Sequence, residues 1–322
     1  MITSYQTTFL EYLAHQYKAE KPAALYDPMR YILALGGKRI RPVLALIAAD
    51  AVGGAVKKAL PAALAVEVFH NFSLVHDDIM DEAPLRRGQA TVHEKWDANT
   101  GILSGDVMLV KAYQCLEEYP AELFKALTQL FSKTAQEVCE GQQYDMNFPH
   151  QAAVSQTEYL HMIKNKTAVL LGCSLQMGAM IGGLSKEKSQ PFYDFGIQLG
   201  LAFQLQDDYL DAFGDPSTFG KQVGGDIIEN KKTLLYLLAL EKGTAAQQEQ
   251  LNALFQSHPE DPTDKIAAVK ALFQATKADI ALQELMVHYT DNALIEVDKF
   301  FVAPAKKTLF KQFANALMER KL

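Results

Sequence analysis

The chain is poor in cysteine. It has three in 322 residues, Cys115, Cys139 and Cys173, far apart and without metal-ligand spacing, which argues against a disulfide framework or thiolate metal site and predicts reduced thiols within helices. Long apolar runs are missing too, since Asp, His, Gln or Lys interrupts every candidate of membrane-spanning length. Met1 to Leu10 has no basic segment followed by an apolar one, so no secretory leader is expected and a cytoplasmic location is the default. Basic charge is also scarce: a formal net charge of -7 speaks against nucleic acid as the main partner, because a phosphate backbone is bound by a basic surface. Strand-like alternation, flexible Pro/Gly/Ser linkers, solenoid-length repeats and EF-hand loop spacing are absent as well.

What the chain does have is apolar residues at three-to-four-residue intervals in nearly every long segment. With 49% hydrophobic residues it can bury a large core. This predicts an all-α chain forming one domain over residues 1–322. Thr8 to Tyr17 reads as a first helix and Pro28 to Leu35 as a short one stopped by Gly36-Gly37. Pro42 opens Val43 to Val52, Pro61 fits the start of Ala59 to Asp81, and Pro84 marks the stop of that helix. Further helices are expected over Ile102 to Tyr119, Ala121 to Tyr144, Ser155 to about Met180 behind the capping-box pair Ser155 and Glu158, and Ser189 to Phe213. Glycine-rich Gly214 to Asn230 reads as an ordered loop over a site, with shorter helices from Lys232 to Arg320.

Two of these helices end in the same acidic pattern, Asp77-Asp78-Ile79-Met80-Asp81 and Asp207-Asp208-Tyr209-Leu210-Asp211. Residues four apart share a helix face, so Asp77 projects with Asp81 and Asp207 with Asp211. One such cluster would be an ordinary solvated helix end. Two, each closing an apolar run, suggest facing walls of one metal site. Crowded carboxylates call for a cation, and magnesium takes oxygen ligands shared between carboxylates and substrate phosphates. A glycoside-cleaving pair would need two acids, not six.

The basic counterpart is Gly36-Gly37-Lys38-Arg39-Ile40-Arg41-Pro42, three cations at a glycine turn before a helix start, where backbone N–H groups also favour anions. Arg86-Arg87-Gly88 adds two more after the first acidic cluster, and Lys166, Lys221 and Lys231 are further candidates. Arginine grips phosphate oxygens in pairs and lysine supplies a mobile point charge. Acid clusters for metal together with cations for phosphate describe a site for two diphosphates.

In their order along the chain, both aspartate motifs, GGKRIRP, RRG, the Lys166-Thr167 pair, Phe203-Gln204-Leu205-Gln206 before the second motif and the Gly220-Lys221 to Lys231 loop resemble the trans-isoprenyl diphosphate synthase (polyprenyl synthetase) family. The likeness runs from about Tyr31 to Thr233. It implies a helical bundle around a deep central cavity, a homodimer, and about three Mg²⁺ ions held by Asp77, Asp78, Asp81, Asp207, Asp208 and Asp211. It also implies that Lys166, Lys221, Lys231 and Arg86 contact an allylic diphosphate, that Lys38, Arg41, His70 and Arg87 form the isopentenyl diphosphate pocket, and that Thr167 and Gln204 lie near a developing allylic cation. The expected activity is head-to-tail condensation of the two diphosphates, with no protein nucleophile.

Chain length would be set below Asp77, where Ser73 lies one turn away and Phe72 projects from another side of the helix, toward either the cavity or the core. The family likeness implies a short product, C15 or C20, with C20 favoured. Rival readings are a class I terpene cyclase, which has no use for a second diphosphate pocket, and a catalytically silent partner subunit, which would more readily have lost one acidic motif.

Overall fold

The structure, a computed structural model, describes residues 2–215 and 223–319. Its helices in chain order are α1 Ile2–Gln16, α2 Ala23–Ala34, α3 Ile40–Ala51, α4 Val56–Met80, α5 Val92–Lys95, α6 Ala98–Gln114, α7 Ala121–Asn147, α8 Gln156–Ile163, α9 Val169–Ile181 and α10 Lys186–Phe213. They continue as α11 Gly225–Ile228, α12 Leu234–Lys242, α13 Ala245–Leu254, α14 Thr263–Ala275, α15 Ala278–Asp298 and α16 Pro304–Met318. The only strands among the described residues, β1 Leu85–Arg86 and β2 Gln89–Ala90, form a two-stranded antiparallel hairpin. No helix among the described residues is long and apolar enough to cross a membrane.

Several boundaries differ from those read in the sequence, each for a local reason. Pro28 and Pro61 lie inside their helices, so α2 and α4 begin about one turn before the residue that a first-turn proline would mark. Asp97 accepts a hydrogen bond from the Thr100 backbone N–H at 2.8 Å and starts α6 earlier than the apolar spacing does. The α4 helix stops before Pro84. Glu82 takes a left-handed backbone, and the Ala83 N–H bonds to the Asp78 carbonyl while the Glu82 N–H bonds to that of Ile79, a Schellman ending. The capping box at Ser155 and Glu158 is present in both directions. The expected run from Ser155 to about Met180 is interrupted by a π-helical turn, Lys164–Ala168. Within the expected 214–230 loop, residues 225–228 form α11, and Lys221 lies outside the described residues.

The chain folds as two compact units. The first comprises Met1–Thr134, Leu170–Tyr193 and Phe301–Ala303, the second Ala135–Val169, Asp194–Phe300 and Pro304–Leu322. In the first unit α4 is buried on nearly every side from Ala59 to Phe69, as an all-round apolar helix must be. Phe69 meets Phe131 edge-on and Phe72 at a tilt. In the second unit Phe195, Phe300 and Phe310 pack in mutual edge-to-face pairs, fastening α16 to α10 and the end of α15. The first acidic motif ends α4 in the first unit, and the second ends α10 in the second.

Candidate functional site

In the first unit the two arginines after the acidic motif point to different partners, because they sit in a hairpin. Both Arg87 and Gly88 have positive φ, which matches the type I′ turn favoured by right-twisted strands. Arg86, on β1, reaches back to Asp78, its Nε lying 2.8 and 2.7 Å from the two carboxylate oxygens. It also lies 3.7 Å from Asp77 Oδ2. Asp78 is 1% exposed. Burial raises its pKa against the lowering pull of Arg86. Asp77 is half-buried and Asp81, the C-cap of α4, is exposed.

Arg87 at the turn donates to the Gly36 carbonyl oxygen. A Cβ on Gly37 would stand 3.0 Å from the Arg87 guanidinium carbon, and Gly37 has φ +121°, so glycine is needed there for both the turn and the close approach. Arg41 Nη1 lies 3.2 Å from His70 Nε2. Burial, then the charges of Arg41 and Arg87, hold the His70 pKa well below the usual imidazole range. Arg41 and Arg87 thus set a positive field around an uncharged His70, and Lys38 is exposed on the glycine loop. Arg39, the middle of the three cations at the glycine turn, points inward. It is 5% exposed, pairs with the buried Glu67 and donates to the Leu33 carbonyl oxygen, while Asn71 Nδ2 donates to Glu67 Oε1 at 3.0 Å. Its left-handed backbone as N-cap of α3 turns it inward, a reversal that residue spacing alone does not reveal.

Of the chain-length candidates, Phe72 is buried with its ring edge-on to His76 at 4.8 Å between centroids. Ser73 Oγ donates to the His70 carbonyl oxygen at 2.8 Å. His76 is engaged structurally, its Nε2 lying 3.1 Å from the Ile102 carbonyl oxygen.

In the second unit the π-turn carries Lys166 and Thr167. One extra residue per turn is characteristic of such bulges, which recur at functional sites. A Cβ on Gly141 of α7 would lie 2.3 Å from the Lys166 backbone nitrogen, so only glycine lets α7 approach the bulge. Lys166 Nζ donates to Asp145 Oδ2 at 2.6 Å. Thr167 Oγ1 donates to Gln204 Oε1 at 3.1 Å, Gln204 Nε2 donates to Asp208 Oδ1 at 3.1 Å, and Tyr159 Oη donates to Asp208 Oδ2 at 2.5 Å. Asp208 is 5% exposed. Burial, then the charge of Asp226, push its pKa up to about 8 against the hydrogen bonds from Tyr159 and Gln204.

Asp207 and Asp211 are half-buried. Asp211 Oδ2 accepts from the Asp226 backbone N–H at 3.0 Å, tying the second motif to α11. Lys231 Nζ lies 2.7 Å from Glu229 and 3.7 Å from Asp226; burial opposes its charge, but those carboxylates outweigh it and raise the pKa. Tyr159, Asp226 and the π-turn were not legible as site features in the sequence. Only the Ser155 capping box, which fixes the start of α8, hinted that Tyr159 is rigidly held.

The two motifs are alike in one respect: the second aspartate of each is buried and held by side-chain donors. The donor set is all oxygen, with carboxylates crowded enough in the second unit to favour a cation, which fits magnesium and not a thiolate-loving metal. Among the described residues no three His, Cys, Asp or Glu side chains converge into a cage.

Fold and motifs together define the class of all-α isoprenyl diphosphate synthases. A geranylgeranyl pyrophosphate synthase of known crystal structure is 51% identical, with a TM-score of 0.96 over 100% of this chain and 99% of that one. A polyprenyl synthase from Caulobacter crescentus CB15, solved with calcium and isoprenyl diphosphate, is 28% identical, with a TM-score of 0.87 over 99% of this chain and 95% of that one. The geranylgeranyl diphosphate synthase of Methanosarcina mazei is 37% identical over 303 residues, 93% of this chain and 91% of its own. The family model described as polyprenyl synthetase matches residues 22–272, and the chain belongs to that family.

Proposed function

We propose that the chain is a magnesium-dependent prenyltransferase that condenses an allylic diphosphate head-to-tail with isopentenyl diphosphate, giving a C15 to C20 all-trans product, C20 foremost. The observation that carries the reading is the pair of arginines, Arg41 and Arg87, around His70, with Arg87 bonded to the glycine loop, in addition to two acidic motifs. A cyclase, which ionises a single diphosphate, needs no such group. The M. mazei relative and the 51% identical structure, both geranylgeranyl synthases by name, support C20.

In this reading Asp77, Asp78, Asp81, Asp207, Asp208 and Asp211 would line the site for about three magnesium ions, Asp78 and Asp208 being its buried members. The metal supplies charge neutralisation on the departing diphosphate. Lys166, Lys231, Lys221 and Arg86 bind the allylic diphosphate, and fixed cations that face the leaving group lower the cost of breaking the carbon–oxygen bond. Lys38, Arg41, His70 and Arg87 hold isopentenyl diphosphate with its double bond toward the allylic carbon. Thr167 and Gln204 present oxygens to the developing cation. The released diphosphate takes the proton.

The reading takes residues 1–322 as one catalytic domain, in a cytoplasmic homodimer. Exposed Ile102, Leu103 and Val110 along α6 support pairing with a second copy.

Product analysis with isopentenyl diphosphate and each of the C5, C10 and C15 primers should give chains ending at C20, with Phe72→Ala giving longer ones. No incorporation of labelled isopentenyl diphosphate in magnesium would favour a silent subunit, and hydrocarbon from farnesyl diphosphate alone a cyclase. An unchanged product ladder in Phe72→Ala would remove Phe72 from the chain-length role.

A further inference from the structure

The hydrogen bonds around Asp208 form a chain across three segments: Tyr159 from α8, Asp208 and Gln204 four residues apart on α10, and Thr167 from the π-turn. Both carboxylate oxygens of Asp208 already accept from neutral donors, at 2.5 Å from Tyr159 and 3.1 Å from Gln204. Tyr159 and Asp208 are each 5% exposed. Each oxygen keeps a second lone pair, but Asp208 lies inside the protein with almost no surface open to a hydrated cation, and magnesium gives up its waters reluctantly.

A side-chain amide offers an oxygen at one end and N–H donors at the other. A carboxylate that accepts from the nitrogen end turns the oxygen end away, here onto Thr167 Oγ1 at 3.1 Å. Tyr159 is in turn fixed by the start of α8, where its backbone N–H bonds to the Ser155 carbonyl at 3.0 Å, next to the capping box of Ser155 and Glu158.

We infer that Tyr159 and Asp208 are positioning residues that lock the orientation of the Gln204 amide, so that its oxygen and the Thr167 hydroxyl keep a fixed geometry, and that Asp208 acts through Gln204 and not on the metal. The inference rests on the prenyltransferase reading of the same residues.

A double-mutant cycle on the full-length protein tests it, with kcat, the KM for each diphosphate and the Mg²⁺ half-saturation measured for Tyr159→Phe, Gln204→Leu and the pair. Tyr159→Phe should lower kcat about tenfold, the size of one lost buried hydrogen bond, with the isopentenyl diphosphate KM and Mg²⁺ half-saturation unchanged. In the Gln204→Leu background it should cost less than about twofold more, since one group acts through the other. The rise in thermal midpoint on adding MgCl₂ with inorganic diphosphate should be kept in Tyr159→Phe. Asp208→Asn carries the same expectations and covers the case in which Tyr159→Phe does not fold. Additive losses, activity restored by excess Mg²⁺, or loss of the metal-dependent thermal shift would each overturn the lock and make Asp208 a metal ligand. Wild-type protein that joins no diphosphates would instead overturn the prenyltransferase reading, and the lock with it.

Discussion

At the scale of single residues, Arg41 and Arg87 of the first unit surround a histidine held neutral. Its pKa in the folded chain lies below that in the unfolded chain, so the unfolded state takes up the proton first as pH falls. Stability from His70 is therefore complete above the usual imidazole pKa and is lost as pH drops from about 6.5 toward the lower folded value. His70→Gln should flatten that part of the curve of thermal midpoint against pH. An equally steep acid loss in the variant would assign the titration to another group.

Arg39 and Glu67 pose the opposite case, a charge pair buried together. Removing one partner leaves the other charged and dry, which typically costs about 3–5 kcal/mol. Arg39→Ala should show a loss of that order in urea denaturation, and Arg39→Ala with Glu67→Ala a smaller one. Equal losses would mean that the pair contributes packing alone.

At the scale of elements, periodic apolar spacing located the helices well, and exceptions to it located the candidate site residues. The α4 and α10 helices were legible because each ends an apolar run in acid, and the capping box at Ser155 was legible as a pattern of residue types. The π-turn was not, since a run from Ser155 to Met180 has the same composition with or without one extra residue in a turn. The hairpin of Arg87 and Gly88 was hidden for a related reason: two residues per strand are too few to show alternation.

Gly141 offers a way to disturb the bulge without touching its side chains. Gly141→Ala would set a methyl 2.3 Å from the Lys166 nitrogen. The helices must shift, and kcat should fall at least about tenfold, in line with the cost of misplacing a positioned group by about 1 Å, while circular dichroism keeps its helical signal. Wild-type turnover in this variant would show that the bulge tolerates displacement.

At the scale of the whole molecule, the sequence conveyed the class of fold and the residue types of the site but not the assignment of partners. Lys38, Arg39 and Arg41 look equivalent in a line of text, yet backbone handedness sends Arg39 inward and leaves Arg41 beside His70. Asp77 and Asp78 likewise look alike, and only the hairpin brings Arg86 onto the second of them. These distinctions depend on contacts between segments far apart in the chain, which local spacing does not encode.

The bulge between α8 and α9 also sets a phase. Each residue of an α-helix advances the direction of its side chain by about 100°, so the segment through Ile163 and the segment from Val169 are out of step by one residue. A change that restored the regular spacing would improve the backbone bonding of the helix and swing Lys166 and Thr167 away from Asp145 and Gln204. At that point the most regular helix and the contacts of Lys166 and Thr167 are incompatible, and the chain has kept the contacts.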